Sequence, residues 1–191
     1  MALTVLDPKT ALIVVDLQKG IVGAPFVHSI GDVIARTRTL IDAFRARGLP
    51  VAMVNVAGRA PGRTEQQPQI AAFPPGWSDL IPELDRPEGD IVVTKRTWGA
   101  FANTDLERQL KARGVTQVVV AGVATATGVE STARQAYEQG FNVTLAIDDM
   151  TDRRPEAHDY SLNNVFPRLG ETGTTKGIID LLAGMVFRTA R

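Results

Sequence analysis

Three positions in this chain carry residue types suited to chemistry at the ends of apolar runs. Asp16 directly follows Ala11-Leu12-Ile13-Val14-Val15, and Lys95 closes Ile91-Val92-Val93-Thr94. A carboxylate and an ammonium at two strand tips form an acid–base pair if the fold brings the tips together. Burial raises a carboxyl pKa and a nearby ammonium lowers it, so the balance decides whether Asp16 is an acid or a base. The third position is the stretch Gly122-Val123-Ala124-Thr125-Ala126-Thr127-Gly128, which leads into Val129-Glu130. Thr127 to Glu130 has capping-box spacing, and a helix N-terminus there favours negative charge. Arg96 or Arg59 adds to that preference, which suggests a small carboxylate-bearing substrate. The chain contains no cysteine, so no route through a thioester is open. Thr127 has a complete explanation as a cap, and Thr125 reads as a partner of the backbone turn rather than a nucleophile.

No metal is expected. Zinc sites need several converging ligands, and His28 and His158 are the only histidines, in no ligand spacing. Both read as surface or partner-facing residues. No cofactor is expected either.

The elements that must position these residues follow from periodicity. Short, continuously apolar, β-branched runs look like parallel strands buried on both faces. They occur at 11–15, 51–56, 91–94, 117–121 and 142–147, and Arg168 to Glu171 is a candidate sixth. Between them, Val33, Thr37, Leu40, Ile41 and Phe44 recur at helical spacing, with Gly48 at the expected C-terminal cap. Thr104-Asp105-Leu106-Glu107 predicts a capping box for a second helix that closes at Gly114. Further helices are expected before Gly140, over 155–166 and over 174–187. Strands alternating with helices predict an α/β fold, a three-layer Rossmann-like arrangement with a six-stranded parallel sheet flanked by helices. Ligands in such sheets bind at the carboxyl ends of the strands, where strand order reverses. The tips at Asp16, Asn55, Lys95 and 122–128 are therefore the place for a site. The segment from Gly58 to Gly89 is proline-punctuated and carries Arg59, Phe73 and Trp77, which reads as an ordered lid over the site or against a second subunit. Residues 1–191 read as a single domain.

Composition narrows the function classes. Lys plus Arg and Asp plus Glu number 21 each, and no basic run interleaves with aromatics. Nucleic acid and membrane surfaces are thus not expected partners. No apolar stretch has membrane length and no secretory leader is evident, which suggests a cytoplasmic protein. The expected partner is a small-molecule substrate.

Leu12-Ile13-Val14-Val15-Asp16-Leu17-Gln18, Thr94 to Phe101, the stretch from Gly122 to Arg134, and Asp148-Asp149 together resemble the isochorismatase-like, or cysteine hydrolase, superfamily. Within it, Trp98-Gly99-Ala100-Phe101 with Gly128-Val129-Glu130-Ser131-Thr132-Ala133-Arg134 looks most like a YecD-like bacterial branch that lacks the catalytic cysteine. The resemblance implies that Asp16 and Lys95 are two members of an Asp, Lys, Cys set whose third position is Gly128. It also implies a non-proline cis peptide at Val123-Ala124, with the Ala124 and Gly128 N–H groups facing a substrate oxygen. Trp98, Phe101, Thr125 and Arg59 are the candidate pocket residues, although aromatics such as Trp98 and Phe101 also suit core packing. Gly128 reads either as the glycine of a strained turn or as room made beside Asp16. The metal-binding Asp and His residues of nicotinamidases have no counterpart at 55–63, nor does the substrate-binding Gln of isochorismatases. The implied function is a thiol-independent hydrolase of an amide or vinyl ether bond, working as a homo-oligomer. The alternative is a non-catalytic binder or scaffold on the same fold.

Overall fold

The computed structural model describes residues 3–66 and 73–185. Its strands are β1 (Thr10–Val15), β2 (Val51–Val56), β3 (Ile91–Lys95), β4 (Gln117–Val123), β5 (Asn142–Thr151) and β6 (Glu171–Gly173). The helices are α1 (Lys19–Val22), α2 (Ile30–Ala46), α3 (Leu106–Ala112), α4 (Glu130–Glu138), α5 (Pro155–Tyr160), α6 (Phe166–Leu169) and α7 (Thr175–Gly184). All strand pairs are parallel, and the order is β3-β2-β1-β4-β5-β6. Strand order therefore reverses between β1 and β4, and the carboxyl ends of these two central strands are where such sheets bind ligands.

The period of two along β1 divides the core. Ala11, Ile13 and Val15 pack with Leu106, Leu110, Ala133 and Phe166 on one face. Leu12 and Val14 pack with Val33, Leu40, Ile41, Phe44, Ile178 and Leu182 on the other. Helices cover both faces, so β1 and β4 are buried at every position, and their near-continuous apolar runs are the pattern visible in the sequence. Gly48 ends the turn after α2 with φ +64, the left-handed conformation that a residue without Cβ adopts at least cost. Among the described residues, no helix is long and apolar enough to cross a membrane.

Four local expectations need correction. The sixth strand starts at Glu171 rather than Arg168, because residues 166–169 turn as a helix that buries Phe166. Gly170 then passes so close to β5 that a Cβ would collide with the Val143 carbonyl. The Thr104 box does not close: its hydroxyl donates to the Ala100 carbonyl at 2.6 Å, while Glu107 pairs with Lys111. The Thr127 box is also absent, since residues 125–129 form a π-helical turn and Glu130 accepts from Ser161 Oγ and Arg134 instead. The helix expected over 174–187 spans Thr175–Gly184, and residues 186–187 lie outside the described residues.

One irregularity bears on the site. Val120 faces Leu145 in the β4–β5 register, but Gly122 faces Met150. β5 thus holds extra residues between these two pairs, Asp148 and Asp149 among them, and Asp149 is fully buried with the Thr37 hydroxyl donating to it at 2.6 Å.

Candidate active site

Asp16 sits one residue past β1 with φ +54, a conformation that non-glycine residues adopt rarely and mostly where surrounding contacts hold them. Those contacts are present. The Asp16 N–H donates to the Val54 carbonyl at 2.8 Å, and its own carbonyl accepts from the Gln18 N–H at 2.9 Å. The Gln18 side chain is fully buried: Oε1 accepts the Val56 N–H at 2.7 Å, and Nε2 donates to the carbonyls of Val56 and Trp77. Gln18 thus ties the Asp16 turn both to β2 and to the segment after residue 73. No spacing rule marks it in the sequence.

Lys95 closes β3 and reaches past β2, which lies between β3 and β1. Its Nζ donates to Asp16 Oδ2 at 2.8 Å and to the Thr97 carbonyl at 3.2 Å. The pair is buried, with Lys95 1% and Asp16 5% exposed. Asp16 Oδ1 is also buried and has no hydrogen-bond partner among the described residues. Burial pushes the Asp16 carboxyl up to about 6, against the opposing pull of the Lys95 charge and hydrogen bond. Desolvation wins, but by little enough that both protonation states lie near neutral pH.

Gly128 stands directly over this carboxylate. Its φ is outside the left-handed region, so a strained turn does not require glycine here. Space does: a Cβ would lie 3.0 Å from each of Asp16 Oδ2, the Val123 carbonyl oxygen and Val15 Cγ1. The missing side chain therefore leaves no empty room at the Cβ position, because Asp16 and β4 have closed on it. The Val123-Ala124 peptide is cis, and the Ala124 N–H makes no hydrogen bond among the described residues. An acid–base carboxyl with one unengaged oxygen, a paired ammonium and a turn of backbone donors meet where strand order reverses. That combination suits addition of water to a polarised bond.

The isochorismatase domain matches residues 10–177. The chain belongs to the isochorismatase family. It is 39% identical over 182 residues to the isochorismatase family protein YecD of Escherichia coli O157:H7, covering 91% of this chain and 96% of that protein. The ureidoacrylate amidohydrolase RutB of Methylobacterium radiotolerans is 33% identical over 194 residues, with 84% and 74% covered. A solved isochorismatase family protein from Burkholderia thailandensis superposes with a TM-score of 0.91 at 41% identity, over 95% of this chain and 100% of that one.

Of the family positions expected from sequence, Asp16, Lys95, Gly128 and Ala124 come together. The other pocket candidates have surroundings of their own. Phe101 is a core residue, 5.9 Å from the Phe141 ring, because the turn after β3 feeds it into the α3 layer. Trp98 is 68% exposed. Thr125 is fully buried with its hydroxyl 2.9 Å from His158 Nδ1, so it is neither a backbone-turn partner nor open to substrate. Arg59 lies over the Phe73 ring at 5.8 Å, and Phe73 stacks on Trp77 at 4.3 Å. Trp77 in turn covers Gly20, where a Cβ would collide with the indole. Within the 58–89 segment, Trp77, Asp79 and Ile81 thus pack against the β1–α1 connection, with Ile81 N–H on the Leu17 carbonyl; residues 67–72 lie outside the described residues. His158, read as a surface or partner-facing histidine, is 5% exposed. Among the described residues, no three His, Asp or Glu side chains gather as a metal-ion site.

Proposed function

We propose that this chain is a thiol-independent hydrolase of small amides, with Asp16 as general base and Lys95 as its electrostatic partner. The observation that carries the reading is the buried Asp16 carboxylate, with Oδ2 held by Lys95 and Oδ1 unengaged. A carboxyl with a pKa of about 6 is about nine-tenths ionised at pH 7. It is then basic enough to accept a proton from water and acidic enough to return it.

In this mechanism, water adds to the amide carbon as its proton passes to Asp16 Oδ1. The carbonyl oxygen gains the negative charge and takes hydrogen bonds from the Ala124 and Gly128 N–H groups. The tetrahedral species collapses, the C–N bond breaks, and the leaving nitrogen takes the proton from Asp16. The products are a carboxylic acid and an amine, and Asp16 is again ionised. Lys95 stays charged throughout and keeps Asp16 from becoming too weak an acid to release its proton. Kinship with an amidohydrolase at 33% identity supports the choice of amide over vinyl ether.

The test is a turnover screen of wild type beside Asp16→Asn, with ureido and simple amides, isochorismate and related vinyl ethers. Amide turnover that falls about 10²-fold or more in the variant is the expected result. Cleavage of vinyl ethers alone would instead make Asp16 the acid. Small-molecule binding without turnover in either protein would overturn the hydrolase reading in favour of a binding protein.

A further inference from the structure

Two histidines bracket the turn that carries Ala124 and Gly128. His158, on α5, places Nδ1 2.9 Å from the buried Thr125 hydroxyl, the first side chain of the turn. Its ring lies 4.8 Å from that of His28, tilted by 58°. His28 grips the other side, with Nδ1 and its backbone N–H each 3.1 Å from Thr151 Oγ1. Thr151 is the register partner of Val123, the residue before the turn. Two imidazoles in mutual contact therefore hold both shoulders of the same turn through one hydroxyl each.

The chemistry of that contact depends on protonation. A neutral imidazole accepts at one nitrogen and donates at the other, whereas an imidazolium only donates. Thr151 Oγ1 already accepts the His28 N–H, so its own proton is free to go to His28 Nδ1. Thr125 makes no side-chain hydrogen bond except to His158 among the described residues. With Nδ1 as the acceptor nitrogen of the neutral ring, a proton added there takes that acceptor away from the fully buried Thr125 hydroxyl, and the turn has to shift to supply another. Burial first, and then the facing His28, hold His158 below the ordinary imidazole pKa, while Asp159 and Asp152 pull it upward. Asp32, Arg36 and Asp148 face both rings across a cavity of 340 Å³. Asp152 is itself tied to the turn, accepting the Ala126 N–H at 2.8 Å and, through Oδ1, those of Arg153 and Arg154.

We propose that His158 is a positioning residue of the site, which sets the Ala124–Gly128 turn through Thr125 and makes that turn respond to protonation of His158. The importance of the turn for catalysis rests on the hydrolase reading, but its response to His158 does not.

The experiment follows the Ala124 and Gly128 amide resonances of ¹⁵N-labelled full-length protein from pH 8 to pH 5, with the imidazole resonances read in the same samples. Wild type is expected to show both amides moving with the His158 midpoint. In His158→Asn, whose amide takes the place of Nδ1 but does not titrate, that movement is lost and only the Asp16 titration remains. In His28→Asn the facing imidazole is gone, so the amide midpoint rises together with that of His158. Amides that titrate unchanged in His158→Asn, or that stay still while His158 titrates, would overturn the proposal. A purely structural histidine would lower thermal stability in His158→Asn and leave both pH profiles as in wild type. Absence of turnover on every amide would remove the hydrolase reading and leave this measurement intact.

Discussion

Replacing Gly128 by alanine tests the geometry of the site at its tightest point. The backbone there accepts an L residue, and alanine in a helical turn is favoured over glycine by about 1 kcal/mol. The new Cβ would meet three atoms at 3.0 Å. Val123 O belongs to a central strand and Val15 Cγ1 to the packed core, so the atom free to yield is Asp16 Oδ2, the end of a side chain. Ordinary contact requires it to retreat by roughly 0.4 Å, which stretches its 2.8 Å bond to Lys95 Nζ towards about 3.2 Å, the outer edge of a hydrogen bond. With an effective dielectric constant of about 20, that stretch weakens the attraction by about 0.7 kcal/mol, or half a pH unit. Crowding of this kind costs about 1–3 kcal/mol, which the helical preference of alanine partly offsets. Gly128→Ala is therefore expected to fold with its melting temperature lowered by no more than about 8 °C, while the Asp16 midpoint rises from about 6 by about half a unit. The assay is ¹³C NMR titration of the Asp16 carboxyl beside thermal unfolding, and it needs no substrate. An unmoved midpoint would refute the reasoning, as would a stability loss above about 4 kcal/mol, which would mean that the backbone and not Asp16 had given way.

Two further outcomes follow from the same geometry. Because the folded Asp16 pKa is raised from 3.8 to about 6, the folded state holds a proton that the unfolded chain releases between those values. The stability contributed by the protonated carboxyl is thus complete below pH 3.8 and is lost as pH rises to about 6, by about 3 kcal/mol. Urea unfolding of wild type relative to Asp16→Asn from pH 3.5 to pH 6.5 reads this difference, and a flat difference would refute it. Gly122→Ala is expected to destabilise by about 4 kcal/mol or more, since φ is +109 and a Cβ would collide with the Val15 carbonyl of the neighbouring strand. Thermal unfolding of this variant within a few degrees of wild type would contradict that close approach.

The sequence by itself determined the sheet and the two charges at its rim. Short apolar runs rich in β-branched residues, such as Leu12 to Val15, suit strands covered on both faces, and their alternation with helical patterns leaves parallel crossovers as the arrangement. Asp16 and Lys95 were legible because a charge that abruptly ends such a run must lie at a strand tip. Tertiary structure alone decided what those charges experience. Whether burial or Lys95 prevails at Asp16 depends on how completely β2, Gln18 and the turn exclude water, and no local pattern encodes that exclusion. The fate of neighbouring side chains was equally non-local. Phe101 and Trp98 are three residues apart, yet one enters the α3 layer and the other faces solvent. Gly128 read as either a strained turn or an opened pocket until the approach of Asp16, Val123 and Val15 gave it a steric reason. His158 lies 33 residues from Thr125, so their contact exists only once β5 and α5 have folded back against the turn. Periodicity records which face of an element is apolar; it holds no record of which distant polar groups will meet when those faces close.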